Sequence, residues 1–150
     1  MTPLTILETP GAATDLYTAV NEEAAELRFR PLFTGDVLEL SDRTCVALMQ
    51  HPCSMRRGTS LNPNLLFAKV IRLGRKYRSD WSTAPFDLCY LPTLSEDYPA
   101  VDFHGIGTIT ADCAQEARRV AIVSLYGATV LMQRWIHFST RLVVPIAGLA

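Results

Sequence analysis

At 150 residues, with 49% apolar and 19% charged residues, the chain has the balance of one folded domain that can bury a core without metals or disulfide staples. A net charge of −1 excludes a strongly basic or acidic protein, and no run reaches the roughly 18 consecutive apolar residues of a spanning helix. The start, MTPLTILETPGAATD, lacks the basic and apolar regions of a secretion signal, so a cytoplasmic protein without membrane association is expected. Its four cysteines, Cys45, Cys53, Cys89 and Cys113, are widely spaced and read as reduced thiols.

In chain order, Thr14 or Asp15 can cap a first helix over residues 14–28, with Leu16, Val20, Ala24 and Leu27 at helical spacing. Short strands follow: RFRPLF, then VLEL after a Thr-Gly-Asp turn, then CVALMQ after a Ser-Asp-Arg turn. Period-two alternation puts Cys45, Ala47 and Met49 on one face of CVALMQ, and Val46, Leu48 and Gln50 on the other. Pro52 ends that strand, and the polar loop HPCSMRRGTSLNPN leads into a further strand, LLFAKVIRL. Residues 79–109 carry three prolines and read as loops with short edge strands such as FDLCYL and VDFHGIGTI. Asp112 as cap, with Gln115 three residues on, starts a C-terminal helix over 112–141, about 40 Å long, whose apolar coat suits burial on two sides or pairing in a homodimer. On it Arg134, His137 and Arg141 share one face.

The order of charges is uneven. From Arg43 to Arg78 every charged residue is basic, and from Asp80 to Glu116 every one is acidic. The basic block could attract nucleic acid or another anion, or the two blocks could face each other and neutralise.

MQHPCSMRRG concentrates the candidate chemistry. Cys53, on a loop beside Arg56 and Arg57, is a candidate nucleophile with His51 or His137 as base, although packing is the commoner role of a free cysteine. The spacing Cys45, His51, Cys53 matches no usual zinc pattern, and no metal or other cofactor is expected. Gly-Ile-Gly in FHGIGTIT fits neither a phosphate loop nor a dinucleotide fingerprint.

The order GDVLEL, turn with arginine, CVALMQ, polar loop, LLFAKVIRL resembles the front half of the small SH3-like barrels of the MazF and PemK toxin family, with Gly35, Asp36, Val37 and Arg43 in the matching positions. That resemblance covers residues 34–73 and implies a sequence-selective endoribonuclease in which arginine stabilises the scissile phosphate. Arg43 here lacks the following proline, and no Thr or Ser closes LLFAKVIRL. MQHPCSMRRG also resembles the Ser-Gln-x-Cys-Asp type loop of uncharacterised small barrels from bacterial and phage genomes, with Cys53 at the cysteine and Ser54 at the acid position.

The sequence therefore leads to an α+β protein: a small SH3-like β-barrel over 29–110 between a short N-terminal and a long C-terminal helix. A binding or regulatory module, in the setting of phage–host conflict, is expected to contact nucleic acid or a protein partner. Gln50, His51, Arg56, Arg57, Arg75, Lys76, Arg134 and Arg141 would make those contacts. The alternative is a toxin-like endoribonuclease drawing on Arg43, His51, Cys53 and His137. A third reading gives Arg134, His137 and Arg141 the structural task of holding the helix to the barrel through the acidic block.

Overall fold

A computed structural model describes residues 17–19, 31–73, 85–91, 99–123 and 125–141. Alternating apolar residues build its central strands. Val37 and Ala47 turn to one side of the sheet while Leu38, Val46 and Leu48 turn to the other, and all five are buried. The strands are β1 (Tyr17–Ala19), β2 (Val37–Glu39), β3 (Cys45–Leu48), β6 (Asn64–Arg72), β7 (Leu88–Tyr90), β8 (Pro99–Thr110) and β9 (Arg118–Val123). They form one antiparallel sheet in the order β1-β9-β2-β3-β6-β8-β7, curled into a half-barrel. A separate two-stranded hairpin, β4 (Arg56–Arg57) with β5 (Ser60–Leu61), lies in the loop between β3 and β6.

Three helices complete the described chain: α1 (Pro52–Met55), α2 (Ala111–Glu116) and α3 (Leu125–Thr140). The first sheet face packs Val37, Ala47, Met49, Ala68, Val101 and Phe103 against Leu131 and Phe138 of α3. The second face packs Leu38, Val46, Leu48 and Leu65 against Leu32, Met55 of α1 and Ala114 of α2. Each buried Leu or Phe side chain removes enough apolar area from water to contribute about 1.5–3 kcal/mol, which is why the curl is closed from both sides.

Several expectations are corrected. The single long helix over 112–141 does not form: α2 stops at Glu116, Ala117 is extended, and Arg118–Val123 is strand β9. Val120, Ile122 and Val123 are β-branched, and β9 finds open partners on both sides in β2 and β1. What remains, α3, has 16 residues and is about 24 Å long at 1.5 Å per residue. The cap is Thr110, whose hydroxyl accepts the Cys113 N–H at 3.2 Å, rather than Asp112.

Tyr17–Ala19, expected within a helix over 14–28, is strand β1 on the edge of β9; the rest of that span lies outside the described residues. The SH3-like barrel flanked by helices is accordingly replaced by a strand-dominated half-barrel. Nor is VDFHGIGTI a short strand of its own. It belongs to β8, a 12-residue strand between β6 and β7. Among the described residues no helix is long and apolar enough to cross a membrane.

Candidate functional site

The polar loop after β3 is a built structure. His51 caps α1: its Nδ1 accepts the Cys53 N–H at 3.1 Å, and Pro52 occupies the first helical position, where the missing N–H costs nothing. Met55, fully buried, anchors the loop in the second core. Gln50 acts as a clamp. Its Oε1 accepts the Leu66 N–H at 3.0 Å, and its Nε2 donates to the Ser54 hydroxyl at 3.0 Å and carbonyl at 3.2 Å. Asn62 also donates its side-chain amide to the Ser54 carbonyl, and its N–H donates to the Met55 carbonyl at 2.9 Å. Between these ties the chain turns back as β4–β5 around Gly58 and Thr59, with Gly58 at φ +61°, the left-handed conformation such a two-residue turn requires.

Beside this hairpin lies a recess of about 800 Å³. Arg56, Thr59 and Ser60 form one wall, and Asp112, Gln115, Arg118 and Arg119 from α2 and the start of β9 form the other. Three arginines line it, but they are not equivalent. Arg118 pairs with Glu39 through two contacts, at 3.3 and 3.2 Å. Arg119, nearly buried, has its Nε 3.5 Å from Oδ2 of the fully buried Asp36, which also accepts the Phe33 N–H at 3.0 Å. Arg56 donates from Nη2 to the Leu32 carbonyl at 2.7 Å, a neutral acceptor. Among the described residues no carboxylate pairs with Arg56 or Arg57. Two adjacent arginines without a carboxylate partner therefore stand at the hairpin, next to the hydroxyls of Thr59 and Ser60.

The other candidates are dispersed. Arg43 sits at φ +67° in the turn before β3, with its N–H donating to the Leu40 carbonyl at 2.9 Å. The four residues of β3 lie between it and His51, a span of roughly 13 Å at about 3.3 Å per residue for the strand alone. Cys53 and His51 are neighbours and both exposed, yet the His51 lone pair at Nδ1 is engaged by the Cys53 backbone. That ring nitrogen is therefore occupied as the helix cap and is not directed at the Cys53 thiol.

His137 lines a small hollow of about 310 Å³ with Phe86, Gln133 and Arg134, on the α3 side of the sheet. Arg134 pins α3 to the chain before and within β7, donating to the Leu88 carbonyl from Nε at 3.0 Å and Nη2 at 2.9 Å, and to the Pro85 carbonyl at 2.8 Å. Arg141 lies over the rings of Phe138, at 3.9 Å, and Phe86, at 4.9 Å. Among the described residues the helix is thus held by backbone carbonyls at Arg134 and by aromatic rings at Arg141. Arg75 and Lys76 lie outside the described residues.

Among the described residues the two charge blocks meet on adjacent strands. Lys69 of β6 is opposite Asp102 of β8 in register. Thiol chemistry divides by burial: desolvation pushes Cys89 up to about 12, and desolvation with the nearby Glu39 raises Cys45, while Cys53 and Cys113 are exposed. Among the described residues no group of three His, Cys, Asp or Glu side chains could hold a metal ion.

Sequence reasoning missed Thr59, Ser60, Gln115, Arg118 and Arg119 as lining residues. The available signal was the pair Arg118-Arg119 ahead of Val-Ala-Ile-Val, which as strand places consecutive arginines on opposite sides. No protein-family model matches the chain, and no curated protein matches it.

Proposed function

We propose that this protein is a binding module that takes a phosphate-bearing single strand of nucleic acid at the β4–β5 hairpin and the recess beside it. The observation that carries the reading is the pair Arg56 and Arg57. They stand on a hairpin fixed by Gln50, Asn62 and Met55, next to two hydroxyls, and no carboxylate among the described residues forms an ion pair with them. Arginine forks match phosphate oxygens, and serine and threonine hydroxyls add neutral donors at the same surface. A preformed hairpin loses little conformational freedom on binding.

The test is fluorescence anisotropy with labelled mixed-sequence single-stranded RNA, comparing the wild type with Arg57→Ala and Arg56→Ala/Arg57→Ala. Binding that weakens several-fold in the single variant and at least tenfold in the double variant supports the reading. Binding unchanged by both variants, or absent from the wild type, overturns it and directs attention to a protein partner. RNA cleavage lost on His51→Ala would replace it with the ribonuclease reading.

A further inference from the structure

Strand β8 outruns its partner on one side. β7 covers it only from Ala100 to Asp102, with a last bond from the Phe103 N–H to the Asp87 carbonyl at 3.0 Å. On the other side β6 follows β8 to Thr110, across a shift in which Lys69 faces Asp102 but Ala68 faces Ile106. Beyond that bulge the direction of each backbone group follows from hydrogen bonds at β3. Leu66 gives its N–H to Gln50 Oε1 and its carbonyl to the Met49 N–H, both on the β3 side. Alternation then turns Leu65 and Phe67 toward β8, opposite Ile109 and Gly107. The N–H and C=O groups of Ile106 and Thr108 must point the other way. Among the described residues no strand or loop pairs with them there.

Past the bulge this open edge carries no further protection. From Gly105 to Thr110 the sequence Gly-Ile-Gly-Thr-Ile-Thr holds no charge and no proline, and its Ile and Thr residues favour strand pairing. We propose that the edge is occupied by the same edge of a second copy of this chain, joining two half-barrels by antiparallel pairing of β8 with β8.

The self-complementarity of the segment selects that occupant. With the twofold at Gly107, Ile106 of each copy faces Thr108 of the other, and outward-pointing groups meet outward-pointing groups in both pairs. Gly107 itself falls at a non-hydrogen-bonded pair, where the two backbones come closest, and it presents no side chain to the partner. Its position is already restricted, because an added Cβ would lie 2.6 Å from the Phe67 ring. An uncharged segment offers no charge pattern with which to select a different, charged peptide.

Thr108 makes the test clean, because its N–H faces away from β6 and its side chain is exposed. Sedimentation equilibrium of the full chain should give twice the 16.6 kDa chain mass for the wild type. Thr108→Pro, which removes an outward N–H, and Thr108→Lys, which places like charges across the seam, should both give the single-chain mass with an unchanged far-ultraviolet spectrum. Amide exchange on the wild type provides a measure that needs no variant: the Ile106 and Thr108 N–H groups should exchange as slowly as that of Gly107. A monomeric wild type, a dimer that survives both substitutions, or fast exchange at Ile106 and Thr108 beside a slow Gly107 overturns the proposal.

Discussion

Gln50 is half-buried at the end of β3 and does the work of a backbone neighbour, since its Oε1 satisfies a Leu66 N–H that the strand has run too short to reach. Gln50→Ala should leave that donor without its partner and free the Ser54 turn, at a cost of about 1–3 kcal/mol in urea unfolding. The polar character of MQHPCSMRRG was visible in the sequence, but the division of labour within it was not. Gln50 acts on a residue 16 positions away, and His51 acts on a backbone N–H rather than on a reacting group.

The thiols give a second prediction at this scale. Cys89 has its pKa raised by burial to about 12, so between the unfolded value near 9 and about 12 the native state holds a proton that the unfolded state has released. Stability is unaffected below that window and should fall by up to about 1.4 kcal/mol per pH unit within it. A Cys89→Ala comparison of unfolding at pH 8 and pH 10 isolates the effect. Native alkylation at pH 8 should correspondingly modify Cys53 and Cys113 and leave Cys89 intact.

At the scale of elements, the stretch from Arg118 to Arg141 shows where sequence periodicity is ambiguous. Val-Ala-Ile-Val fits a buried helix as well as a buried strand, and the decision lies with β2, which is some 80 residues earlier in the chain and gives β9 its ladder. β3 and β6 were legible because alternation and flanking turns agree, whereas β8 was obscured by its bulge and by two glycines that tertiary packing tolerates.

The junction of β2 with β9 is also where two ion pairs can be compared. Asp36 and Arg119 are buried, while Glu39 and Arg118 are partly exposed. Asp36→Ala leaves the Arg119 charge buried without that carboxylate and should destabilise the fold by about 3–5 kcal/mol. Glu39→Ala should cost no more than about 1 kcal/mol, because its pair is solvated and competes with water. Chemical denaturation of the two variants side by side measures the difference, and equal costs would contradict the burial argument.

At the scale of the whole molecule, the charge blocks decide how nucleic acid would be felt. The sequence runs eight basic residues together between Arg43 and Arg78, which suggests a broad cationic surface. Among the described residues folding separates them: Arg43 is at the far end of β3 from the hairpin, and Lys69 lies opposite Asp102. The nearby arginines of the recess are committed to Glu39 and Asp36. Among the described residues of that block, Arg56 and Arg57 stand side by side at one surface without a carboxylate partner. For single strands the logarithm of the binding constant falls with the logarithm of salt with a slope of about −0.7 per phosphate neutralised. Two arginines give a slope of about −1.4, whereas a footprint using all eight cations would give about −6. Anisotropy titrations between 50 and 300 mM salt separate the two. A shallow slope that vanishes in Arg56→Ala/Arg57→Ala places the contact at the hairpin, because removing two of eight dispersed charges would leave most of a steep slope in place.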